Sequence, residues 1–182
     1  KLYRIPIPVT VASQSQKQVA LIEQPAAQVR TLYRWRTSFT HTNESGSAQQ
    51  VLQLDNRKAA GLGLPLPAGS LSLFTMRDGR PFLLGEGRMT DRAEGEKVEV
   101  ELDEAPGVRI VQRPVERDDD GHETELVVTN DNPHGIRFEA QFRGDDKPIG
   151  AGSLVRRDGS WWWIATIPAN GSRTLRLRYR QS

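Results

Sequence analysis

The sequence predicts an all-β protein built on antiparallel sheets, and three observations carry that expectation. Apolar and polar residues alternate with period two, Asx-Gly pairs separate the alternating runs, and apolar residues nowhere recur at helical spacing over three turns. Successive side chains of a strand point to opposite faces, so each run reads as a strand with one buried and one wet face. One-sided burial is the habit of antiparallel rather than parallel sheets. Helix is expected to be minor.

The elements follow in chain order. Pro6 and Pro8 flank Ile7, which makes that stretch an edge strand or an extended connection. Arg30, Arg34 and Arg36 alternate with Tyr33, Trp35 and Thr37, placing the arginines on a solvated face and the aromatics on the other. The segment Ala60 to Gly69 is too rich in Gly and Pro for a central strand and reads as a rigid apolar loop packed on the sheet. Val98, Val100 and Leu102 form one strand face, and Ile136, Phe138, Ala140 and Phe142 form another. Leu175, Leu177 and Tyr179 oppose a wet stripe of Arg176, Arg178 and Arg180. Asp78-Gly79, Asp120-Gly121, Asp158-Gly159 and Asn170-Gly171 separate strand-like runs and tolerate the positive φ of tight hairpins.

Composition places one boundary, at Glu104-Ala105-Pro106-Gly107, dividing residues 1–104 from residues 105–182. The second part is close to the size of a small immunoglobulin-like sandwich. The favoured architecture is therefore an antiparallel β-sandwich of two packed immunoglobulin-like subdomains, with a single larger sandwich as the alternative. With 182 residues, 36% of them hydrophobic, the chain can bury a core without covalent staples. The absence of Cys excludes disulfides and thiolate metal sites. No apolar run approaches the ~20 residues of a membrane-spanning helix, so no transmembrane segment is expected. A net charge of +2 is no electrostatic footprint for nucleic acid, and none is expected as a partner.

Catalytic signatures are missing. The Gly-rich loop from Gly61 to Gly69 lacks the strand–loop–helix context and the Gly-Lys-Ser/Thr ending of a phosphate loop. Ser70 and Ser153 follow glycines but lack the strand-to-helix turn that exposes a nucleophile. Asp118-Asp119-Asp120 reads as a solvated hairpin tip, because the spacing does not alternate ligands as a Ca²⁺ loop does. His41, His122 and His134 are far apart, and His134 reads as a turn residue. No catalytic residue, metal or cofactor is expected.

Trp161-Trp162-Trp163 is the one unusual local feature. On a strand, Trp161 and Trp163 share a face and Trp162 takes the other. The favoured reading is structural, a Trp covering a neighbouring subdomain or loop. The binding reading makes Trp161 and Trp163 a platform for sugar stacking or protein contact, since Trp is enriched at interfaces.

Several short motifs stand in a fixed order: Leu54-Asp55-Asn56, Leu62 through Gly69, Leu71-Ser72-Leu73-Phe74, Asp78-Gly79, Phe82 through Glu86, Val127 through Asn130, and Trp163, Ile167-Pro168-Ala169-Asn170-Gly171 and Leu175 through Arg180. In this order they resemble the C-terminal half of the bacterial domain of unknown function found in mucoidy-inhibitor A-like proteins. The resemblance runs from about Leu2 to Arg180. It departs after Gly85-Glu86, where a Thr-Pro-Lys-like segment is replaced by Arg88-Met89-Thr90-Asp91-Arg92. It implies a bacterial, exported or periplasmic protein whose N-terminal domain precedes Lys1, with no signal peptide in this chain. It carries no catalytic residues to transfer. The leading expectation is a non-catalytic interaction module of the cell envelope with a protein or envelope-surface partner. A glycan-binding module using the Trp161–Trp163 face is the second, and a hydrolase with its site partly in a preceding region is the third.

Overall fold

The computed structural model describes residues 8–16, 20, 22–24, 26–39, 42–118, 121–150 and 152–180, without the side chains of 116–118. Pro6, Ile7, His41 and the Asp119-Asp120 tip lie outside these residues. The all-β expectation holds: 66% of the structure is strand, and the only helical piece among the described residues is a single 3-10 turn at Lys58–Ala60.

Eleven strands follow one another: β1 Val29–Ser38, β2 Glu44–Asp55, β3 Gly69–Arg77, β4 Arg80–Met89, β5 Lys97–Asp118, β6 Gly121–Asn130, β7 Ile136–Arg143, β8 Lys147–Ile149, β9 Leu154–Arg157, β10 Ser160–Ile167 and β11 Gly171–Arg180. Nine form one sheet in the order β8-β11-β6-β5-β2-β1-β7-β10-β9, while β3 and β4 form a separate two-stranded ribbon. The large sheet is curled into a half-barrel, where the sequence suggested two stacked immunoglobulin-like sandwiches. It is also mixed, because β1 runs parallel to β7.

The curl follows from chain reach. β7 and β8 stand six strands apart, about 29 Å in a flat sheet at the usual strand spacing. Only Gly144-Asp145-Asp146 lies between Arg143 and Lys147, a span of about 14 Å at most. The two edge strands, β8 and β9, are likewise consecutive in the chain. The sheet must bend until its ends approach.

The expected boundary at Glu104-Ala105-Pro106-Gly107 lies inside β5, the longest strand. There the register against β2 jumps from Ala48↔Ala105 to Ser47↔Arg109, leaving the Pro-Gly step out of the ladder. Such a bulge bends a strand sharply. The signal read as a boundary is therefore also a corner within one strand. Asn170-Gly171 similarly joins strands that are not neighbours, since β11 pairs with β6 and β8. The loop reading of Ala60 to Gly69 fits, with Ala60 and Leu66 buried beneath it.

Two apolar clusters fill the structure. The larger lies inside the curl and joins Tyr33 and Ala48 to Ile110, Leu126, Phe138, Trp163 and Leu177. The smaller holds Leu52, Val98, Val100 and Leu102 of the sheet against Leu66, Leu71, Leu73 and Met89 at the base of the ribbon. At that base, β4 lies almost on β5: a Cβ added at Gly87 would fall 2.6 Å from the Glu101 carbonyl oxygen. Glycine is required there by proximity, not by φ.

Two buried asparagines fix the loops. The Asn56 side chain donates to the carbonyls of Leu64 at 2.7 Å and Ala93 at 2.8 Å, and its Oδ1 accepts from the amides of Gly63 and Leu64. Asn130 donates to the carbonyls of His134 and Pro168 and accepts from Asn132. Asn56 thus ties together both ends of the ribbon, which Leu66 and Arg92 also pair across. Asn56→Ala should cost on the order of 3 kcal/mol, since it orphans several buried backbone groups at once. Urea titration would measure the loss, and hydrogen exchange should rise first at Leu64 and the ribbon base.

Candidate functional site

Outside its base, the ribbon projects free of the sheet, and this positions the most exposed apolar side chains. Asp78 and Gly79 both take positive φ, 49° and 74°, the signature of a two-residue type I′ turn that closes on Arg77 and Arg80. Directly opposed residues share a face, so Phe74 with Leu83 and Met76 with Pro81 form one apolar surface. Thr75, Phe82 and the Arg77–Arg80 pair occupy the reverse face. Leu84 sits in the register shift next to Leu73 and Phe74. Phe74 is 56% and Met76 65% exposed, and Phe82, Leu83 and Leu84 are about half exposed. Five of the twelve exposed large hydrophobics named among the described residues lie on this one ribbon, so they are clustered and not scattered.

This surface was not singled out in the sequence. Asp78-Gly79 revealed the turn, but alternation broke at Phe82-Leu83-Leu84, where consecutive apolar residues place bulk on both faces of one strand. That break was the available signal.

The Trp triplet sits on β10, between β7 and β9. Trp163 is buried in the large cluster with its ring edge-on to Phe138, centroids 5.9 Å apart. Trp161, on the same face, is half-buried against that cluster, with the Arg156 guanidinium 5.5 Å from its ring. The Trp161–Trp163 face therefore points into the core, and Trp163 offers no open ring. Trp162 lies on the outer face and is also buried, but beneath arginines: Arg157 stands 4.2 Å and Arg34 5.3 Å from its ring. Its indole N–H donates to the Arg157 carbonyl at 3.1 Å.

The expected solvated arginine face is overturned at Arg34, which is only 5% exposed. It donates to Glu99 of β5 at 2.9 Å and to Glu139 of β7 at 3.0 Å, the latter 1% exposed. Arg137 and Arg157 also reach Glu139, Lys97 reaches Glu99, and Arg36 pairs with Glu101. Period-two alternation orients Arg34 correctly but cannot reveal the partners that the sheet brings to it. Burial opposes ionisation of Glu99, yet hydrogen bonds and charge from Arg34 and Lys97 outweigh it and hold its carboxyl at about 2. Glu139 is held low in the same way, burial being overcome mainly by Arg34. Arg176, Arg178 and Arg180 are exposed opposite buried Leu175, Leu177 and Tyr179, as the pattern predicts. His122 lies on β6 against Tyr179, and His134 is exposed in the loop before β7.

Comparison with family models, curated proteins and solved structures finds no match to this chain.

Trp163→Ala should cost about 3–5 kcal/mol, the range for removing a large buried aromatic, as thermal or urea melts would register. A pH series tests the charge ladder. Because the folded carboxyl of Glu99 lies near 2, below its ordinary 4.5, its stabilisation is complete above about pH 4.5 and is lost as pH falls toward 2. Glu99→Gln should therefore be less stable at neutral pH and show a shallower loss between those limits.

Proposed function

We propose that this chain is a non-catalytic interaction module of the bacterial cell envelope, contacting a partner protein through the outer half of the β3–β4 ribbon. The observation that carries the reading is the exposed apolar surface of Phe74, Met76, Pro81 and Leu83 on an element whose outer half no other strand covers among the described residues. Apolar surface gathered on a projecting element marks an interaction site. The envelope setting rests on the resemblance to mucoidy-inhibitor A-like domains.

A protein fits better than a bilayer. The ribbon tip is charged, Arg77-Asp78-Gly79-Arg80, so tip-first entry would drive ions into hydrocarbon ahead of the apolar residues. Deep entry would also strand the open backbone edges of a two-stranded sheet. A glycan platform at Trp161 and Trp163 is the weaker reading, because Trp163 packs in the core and leaves only half of Trp161.

Photo-crosslinking in the native host tests this. A benzophenone side chain at position 74 or 83 should give discrete protein adducts, whereas one at exposed Thr174 on β11 should give none. Equal adducts from Thr174, or none from the ribbon, would sink the reading. Phe74→Ser with Met76→Ser and Leu83→Ser should weaken capture by a crosslinker at 82 while shifting folding stability by only about 0.5 kcal/mol per site, as surface changes do.

A further inference from the structure

We propose that the free edge of β3 accepts an extended segment of the partner, which adds to the ribbon as a third strand. This rests on the ribbon being the contact element and names the chemistry of what it binds.

The backbone decides which edge is open. In a two-residue hairpin the pair that closes the turn, here Arg77 and Arg80, exchanges hydrogen bonds, and pairs alternate from there. Met76↔Pro81 and Phe74↔Leu83 are then the pairs whose backbone groups point away from each other. Phe74 and Met76 thus direct two amides and two carbonyls outward along β3, two residues apart, the spacing an incoming strand needs. Among the described residues no third strand pairs there. The β4 edge is blunted, because Pro81 has no N–H to offer at the matching position. A partner strand on β3 lies beside the apolar face of Phe74, Met76 and Leu83.

Charge sets the rest of the pattern. Arg77 and Arg80 stand directly opposite each other across the ribbon, a like-charge pairing that weakens a sheet. No carboxylate among the described residues pairs with either. The same repulsion disfavours a second copy of the ribbon as occupant and favours acidic side chains. Because Arg77 and Arg80 lie on the face opposite Phe74 and Met76, the segment carries apolar residues at alternate positions and an acidic residue at the intervening position nearest the turn.

Fluorescence anisotropy with two short labelled peptides tests this: alternating valine and threonine with two glutamates toward one end, and the same peptide with lysines. The glutamate peptide should bind saturably and about tenfold more tightly than the lysine one, with the order reversed in Arg77→Glu/Arg80→Glu. Met76→Pro removes an outward N–H without touching the ladder, so it should abolish peptide binding while the melting temperature stays near that of Met76→Ala. Equal binding of both peptides, no binding, or binding that survives Met76→Pro would overturn strand addition. Binding to phosphatidylglycerol vesicles in preference to either peptide would overturn it in favour of lipid. If ribbon crosslinks persist while the peptides fail, the strand inference falls and the contact surface stands; if both fail, both fall.

Discussion

The three residues joining β7 to β8 govern the shape of the molecule. They oblige strands six positions apart in one sheet to lie within a short span of chain, and the sheet can satisfy this only by curling. Once curled, its inner face closes on itself, so side chains from β1, β6, β7, β10 and β11 meet in one cluster. The outer face mixes polar residues with buried Leu32, Val51 and Trp162, and its centre is too crowded to be wet. Arg34 is buried there among its own neighbours and is tolerated because two carboxylates hold it. Removing one member of such a set leaves an uncompensated charge, which is why the ladder is sensitive to acid.

The ribbon obeys a different constraint. Its inner half is folded by the protein, through Leu71, Leu73 and Met89 below and the Asn56 clamp at its ends. Its outer half buries little and is held by its own turn and ladder. A firm base with an uncovered apolar outer half separates the energetics of folding from those of contact. Substitutions beyond Phe74 can therefore change the exposed apolar surface without altering the fold.

Strand class and side-chain facing were legible because period two is a local property. Leu175, Leu177 and Tyr179 opposite Arg176, Arg178 and Arg180 needed no tertiary information. What escaped was set by distant pairing. Pro106-Gly107 has the same local chemistry in a linker and in a bulge, and only its register against Ser47 and Ala48 identifies the corner. Arg34 has the pattern of a wet residue, and only the parallel alignment with β7 delivers Glu139 to it. Asn56 and Asn130 proved to be loop anchors, a role that sequence order alone does not disclose.

The parallel pairing of β1 with β7 also has a consequence in time. Arg34 and Glu139 are 105 positions apart, so during synthesis β1 is made about 5–20 s before its neighbour exists. Through that interval the hairpin of β1 and β2 presents a bare strand edge to every other nascent chain nearby. Until Glu99 and Glu101 of β5 follow, 65 positions further on, Arg34 and Arg36 put unpaired positive charge on that edge, the device by which sheet proteins discourage edge-to-edge aggregation. Residues that end as the buried anchor of the finished sheet spend the first part of their existence as its guard.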